Sequence, residues 1–117
     1  MTEGDIQNQI RIALSAHGAF FRANVGTAWT GDSVKRIGRN VLITNARQFS
    51  TGLPVGFSDL FGITDKGRFV AVEVKTPTGK VRPEQLNFID VIRKRGGLAG
   101  VARSVDDALQ ILKEGGE

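Results

Sequence analysis

The residues best suited to chemistry are Asp59, Glu73 and Lys75, all within the stretch from Ser58 to Thr76. Ser58 to Thr64 reads as a short strand, Asp65-Lys66-Gly67 as a tight turn and Arg68 to Thr76 as a second strand, so the stretch is a hairpin. Side chains alternate along a strand, which puts Val70, Val72 and Val74 on one face and Phe69, Ala71, Glu73 and Lys75 on the other. A carboxylate in the middle of Val-Ala-Val-Glu-Val is costly to desolvate unless a cation or hydrogen-bond donors compensate it. Lys75 is one such cation, and a same-face ion pair is the simplest reading. A turn at Asp65-Lys66-Gly67 pairs residues whose numbers sum to about 132, however, and so sets Asp59 opposite Glu73. Their Cβ atoms then lie ~5 Å apart. Opposed acids repel each other but suit a divalent cation, and Mg²⁺ and Mn²⁺ prefer carboxylate, carbonyl and water oxygens. This geometry favours a metal site over the ion pair.

The remaining elements must position that hairpin. Thr2 with Asp5 reads as a capping box for a first helix carrying Ile6, Ile10, Ala13 and Leu14 at helical spacing, with Gly18 as its stop. His17 falls in its last turn, where positive charge is favourable, rather than in a catalytic role. Ala19 to Val25 reads as a strand. From Gly26 to Gly56 five glycines punctuate a long loop or irregular hairpin, with one strand at Val41 to Thr44. That segment carries Lys35, Arg36, Arg39 and Arg47 against Asp32 alone, together with Trp29 and Phe49. It reads either as a solvated loop tied down by its aromatics or as a flap facing a substrate. After the hairpin, Pro77-Thr78-Gly79 breaks the pattern. Pro83 then opens a helix running to about Arg95, with Leu86, Ile89 and Ile92 on its buried face and Gly96-Gly97 ending it. Leu98 to Arg103 is a last strand, and Ser104 with Asp107 caps a final helix bearing Val105, Ala108, Leu109 and Leu112. The order α-β-β-β-β-α-β-α describes an α/β fold, a mixed central sheet flanked by helices.

Composition narrows the alternatives. At 117 residues the chain fits a single domain over 1–117, and 40% apolar with 24% charged residues is enough to close one core. The absence of cysteine excludes disulfides, Cys-ligated zinc, iron–sulfur clusters and thiol catalysis. No apolar run is long enough for a membrane span, and the start Met1-Thr2-Glu3-Gly4-Asp5 is acidic where a secretory signal is basic. The expected setting is the cytoplasm. A formal net charge of +4 is compatible with a polyanionic partner and equally with ordinary solubility.

Taken together, Gly56-Phe57-Ser58-Asp59, Glu73-Val74-Lys75, Thr76-Pro77-Thr78-Gly79-Lys80 and Pro83-Glu84-Gln85 resemble the PD-(D/E)XK nuclease superfamily. More narrowly they resemble a stand-alone VRR-NUC domain, the virus-type replication and repair nuclease module. The likeness extends from Glu3 in the first helix to the closing Val101-Ala102-Arg103-Ser104. Ser58 replaces the proline of the superfamily name, but that proline is not a ligand. The resemblance implies that Asp59, Glu73 and the Val74 carbonyl would bind Mg²⁺ or Mn²⁺. Lys75 would orient or help deprotonate the attacking water, Glu3 would be an accessory acid, and Gln85 would face the site from its helix. Lys35, Arg36, Arg39, Arg47, Lys80 and Arg82, with Arg93, Lys94 and Arg95, are candidate phosphate contacts. Glu3 alone reads equally as a favourable first-turn acid, and the cations of the Pro83 helix as ordinary end charges.

The implied activity is hydrolysis of DNA phosphodiester bonds by a metal-dependent endonuclease, selective for branched or four-way junction DNA and paired as a homodimer. No small-molecule organic cofactor is expected, and a bacterial or phage-infected cell is the implied setting. The alternative is a non-catalytic nucleic-acid-binding module on the same scaffold.

Overall fold

The computed structural model describes residues 1–117, which form two units, Met1–Ala23 with Gly56–Glu117 and Asn24–Val55. In the first unit, α1 (Glu3–Leu14) begins with the expected reciprocal cap: Thr2 Oγ1 accepts from the Asp5 N–H and Asp5 Oδ2 accepts from the Thr2 N–H. The helix ends before His17, and Gly18 opens β1 (Gly18–Arg22) instead of closing the helix. The reason is steric, because a Cβ on Gly18 would meet the Ile63 carbonyl of the neighbouring strand.

The hairpin is β6 (Leu60–Thr64) with β7 (Phe69–Val74), two residues shorter at each outer end than the sequence pattern indicates. Its register follows the turn: Leu60 pairs with Val72, Phe61 with Ala71, Gly62 with Val70 and Ile63 with Phe69. In the four-stranded sheet β1-β6-β7-β8, the first two pairings are antiparallel, while β8 (Leu98–Ala102) runs parallel to β7. A parallel neighbour requires a crossover, and α2 (Pro83–Lys94) supplies it.

Alternation along β7 divides the core in two. Val70, Val72 and Val74 pack with Leu60 against Ile6, Ile10 and Leu14 of α1 and against Ala108, Ile111 and Leu112 of α3 (Val105–Glu114). Ala71 on the other face packs with Ala99 and Ile89, with Phe88 and Ile92 beside them. Leu86 is 52% exposed and not buried as its spacing implies; Gln85 takes the inward position because it has a buried polar partner. At α3 the Ser104 hydroxyl accepts from the Asp107 N–H as expected, but the Asp107 carboxylate bonds the N–H of Arg103, so the box is not closed on Ser104.

The second unit is more ordered than a loop or a single strand. Here β2 (Thr27–Thr30) pairs with β5 (Arg47–Ser50), and between them β3 (Ser33–Ile37) pairs with β4 (Asn40–Thr44) across the two-residue turn Gly38-Arg39. Gly38 adopts the left-handed φ of +59° that such a turn requires. The ribbons meet at a polar joint, where Asp32 accepts from Asn45 Nδ2 and Arg47 Nη1. Its aromatics do not tie it down: Trp29 is 58% and Phe49 47% exposed.

Candidate active site

The site begins where the β6–β7 ladder stops. Asp59 sits one residue before β6, held by the Ala23 N–H on its main-chain carbonyl and by the Val74 N–H on its Oδ2 at 2.8 Å. The strand register carried one step further puts it opposite Glu73. Gly56, with a φ of +90°, leads into this segment at a point where a Cβ would meet the Glu84 carbonyl, so glycine lets the chain pass close to the start of α2.

Glu73 is 2% exposed. Its Oε1 accepts from Gln85 Nε2 at 2.9 Å, and Gln85 Oε1 in turn accepts from the Arg82 N–H at 2.9 Å. These two bonds orient the amide, and with it the carboxylate. Lys75 Nζ is 3.9 Å from the same Oε1, a long contact for an ion pair, while the buried Oε2 has no partner. Burial is the largest influence on this group, and the charge of Asp59 adds to it, as does the proton the two carboxyls can share once Glu73 is protonated. Together with a smaller push from Glu3, and against the pull of Lys75, they raise the carboxyl from near 4.5 to about 8.

Val74 lies past the last β6 pair. Its N–H points to Asp59, and the two main-chain groups of one strand residue face the same side, so its carbonyl is directed there too. The next residue points the other way, its N–H reaching the Ala102 carbonyl on β8. Two acids, one with an orphaned buried oxygen, and a main-chain carbonyl form an oxygen donor set that fits a hard divalent cation, with the Lys75 ammonium beside it. The acids remain two. No group of three or more His, Asp or Glu side chains that could hold a metal converges anywhere in the chain; Glu3, exposed in the first turn of α1, acts on Glu73 through its charge.

The candidate phosphate contacts divide by their partners. Lys35, Arg36 and Arg39 are exposed on the β3–β4 ribbon with no ion pair, and Lys80 is exposed on the turn before α2. Arg47 pairs with Asp32, Arg82 with Glu84 and Lys94 with Asp90. Arg93 donates to the Ala99 carbonyl, tying α2 to β8, and Arg95 is the residue that closes α2.

Arg103 is a residue whose part the sequence pattern does not reveal. Its guanidinium donates to the carbonyls of Thr76 at 2.6 Å and Gly79 at 2.7 Å, clamping the turn that leaves Lys75. Its place directly after the apolar strand Leu98–Ala102 does not mark this role, because the carbonyls it meets lie 27 and 24 residues earlier in the chain. A cavity of about 470 Å³ lies between α1, Pro77 and the start of α3 and includes none of Asp59, Glu73 or Lys75.

The VRR-NUC domain family matches residues 1–106. A solved structure described as a VRR_NUC domain protein is 25% identical, with a TM-score of 0.44 and 54% of each chain covered. The chain thus spans about half the length of that relative. No curated protein matches it. A match over residues 1–106, together with a mixed sheet carrying α2 on one face and α1 and α3 on the other, places this chain in the VRR-NUC family, a nuclease-like family with the PD-(D/E)XK fold.

Proposed function

We propose that this chain is a divalent-metal-dependent endonuclease that hydrolyses DNA phosphodiester bonds. The observation that carries the reading is Glu73, buried with one oxygen fixed by Gln85 and the other unpartnered, against the carboxyl of Asp59. An inert fold gains nothing from such a pair, which is unfavourable until a cation neutralises it.

Asp59, Glu73 and the Val74 carbonyl would hold Mg²⁺ or Mn²⁺. When bound, the cation supplies Lewis-acid stabilisation of the phosphoryl oxygens and makes water a better nucleophile. Gln85 keeps Glu73 in one orientation by holding Oε1. Lys75, on the same face as Glu73 and fixed through its main chain to β8, orients the water and takes part in its deprotonation. Its charge also meets the negative charge that develops at phosphorus. Lys35, Arg36, Arg39 and Lys80, free of ion pairs, contact phosphates, and Arg47 and Arg82 join them at the expense of their surface pairs. Exposed pairs are worth little, so that exchange is cheap.

Branched DNA is the substrate this reading favours, and its two-fold related strands call for a homodimer that presents two such sites. The work would be done in the cytoplasm of a bacterial or phage-infected cell. No helix is long and apolar enough to cross a membrane. The test is a cleavage panel of single-stranded, duplex, flap and four-way substrates with and without Mn²⁺. Metal-dependent nicking of the four-way substrate, lost in Asp59→Ala and Glu73→Ala, supports the reading. Binding without cutting across a full metal series would replace it with a non-catalytic binding module.

A further inference from the structure

We propose that the Trp29 face of the β2–β5 ribbon is a stacking platform for an unpaired nucleotide base. The inference rests on the DNA-processing reading and adds to it a substrate feature, a base free of its helix. In this antiparallel pair Thr27 faces Ser50 and Trp29 faces Gln48, so these four side chains share one surface. The bond from Gln48 Nε2 to Thr27 Oγ1, at 3.1 Å, is made across that surface. The indole is 58% exposed and none of the aromatic pairs of the molecule includes it.

The neighbours of the indole decide what should cover it. An anchor residue of a protein interface sits among other apolar groups in a patch that excludes water. Trp29 instead has Thr27, Gln48 and Ser50 beside it, three side chains with hydrogen-bonding groups to spare. A nucleobase matches this surface, since its flat face stacks on an aromatic ring while its edge needs donors and acceptors. The charge of the unit agrees: Lys35, Arg36 and Arg39 carry no ion pair within Asn24–Val55, where Asp32 is the only acid. A polyanion with exposed bases satisfies both features, and a closed duplex satisfies only the charge.

Trp29 is the only tryptophan in the chain, so its fluorescence reports on this surface alone. The experiment is a titration of the full chain, in EDTA to prevent cleavage, with a 12-nucleotide thymidine strand, a forked duplex and a blunt duplex. The expected result is saturable quenching by the single strand and the fork but not by the blunt duplex. Trp29→Ala should weaken the first two about 5- to 100-fold, in line with the worth of one stacked base, and Trp29→Phe should restore most of that. Circular dichroism of each variant serves to check that the fold is kept. Equal quenching by all three DNAs, or affinities unmoved by Trp29→Ala, overturns the platform even if metal-dependent cleavage persists. A spectrum that changes with protein concentration alone means that a second copy covers the indole, and likewise overturns it. Absence of binding to every DNA, with no cleavage, counts instead against the DNA-processing reading on which the platform rests.

Discussion

Gln85 donates its side-chain N–H to Glu73 Oε1 at 2.9 Å, and the other oxygen of that buried carboxylate has no partner. A carboxylate half satisfied in this way is held in place and at the same time left with a binding capacity. If the orphaned oxygen is the source of both cost and function, Glu73→Gln should separate them. The amide cannot ionise, so without metal the variant should melt higher than the parent at pH 8 while losing divalent-dependent cleavage. Thermal melts in EDTA beside a nicking assay give both readings.

The metal-free protein should lose stability as pH rises from about 4.5 to about 8. Below that window Glu73 is protonated in both the folded and the unfolded chain, and burial carries no charge penalty. Within it the unfolded chain releases the proton and the folded chain keeps it, so each step upward favours unfolding; above about 8 the penalty is complete. The melting temperature of the parent relative to Glu73→Gln should follow this slope. Added Mn²⁺ should act oppositely, raising the melting temperature more at pH 8 than at pH 5.5, because binding requires the ionised carboxylate.

Gln85→Ala tests orientation rather than charge. Removing a partner from a buried polar group costs about 1–3 kcal/mol, so a lower denaturation midpoint is expected. Cleavage should fall with it, and the loss should be partly overcome by raising Mn²⁺, which is not expected for Asp59→Ala.

Arg103→Ala should free the turn from Thr76 to Gly79 and so loosen the main chain immediately after Lys75. A misplacement of a reacting group by an ångström costs about 10²-fold in rate. The drop is expected in kcat with KM nearly unchanged, and Arg103→Lys should recover part of it, since an ammonium still donates to one of the two carbonyls.

For the ribbon cations the readout is salt. Each phosphate contact removed should reduce the dependence of log K on log salt by about 0.9 for duplex DNA. Replacing Lys35, Arg36 and Arg39 together with alanine should therefore flatten the plot by roughly three times that amount. An unchanged slope would take these residues out of the DNA contact.

The legible parts of this molecule were those where burial enforces a pattern. Val70, Val72 and Val74 alternate with Ala71 and Glu73 because helices cover both faces of β7, and a short turn leaves one register for the pairing of Leu60 with Val72. The second unit lacks that constraint. Val34, Ile37, Val41 and Leu42 are all exposed on both faces of the β3–β4 ribbon, so no alternation of apolar and polar residues marks its strands. Leu86 was misread for a different reason, since apolar spacing cannot anticipate that a glutamine will be drawn inward by a buried acid. The clamp of Arg103 on Thr76 and Gly79 joins residues far apart in the chain and has no local signature.

The most direct test of the paired-acid site is anomalous scattering from crystals soaked in Mn²⁺. The account predicts one peak about 2–2.5 Å from carboxylate oxygens of both Asp59 and Glu73, with the Val74 carbonyl as a further ligand. The peak should be absent from crystals of Glu73→Gln. Saturating Mn²⁺ with no density between those two side chains, or density only elsewhere on the chain, would contradict it.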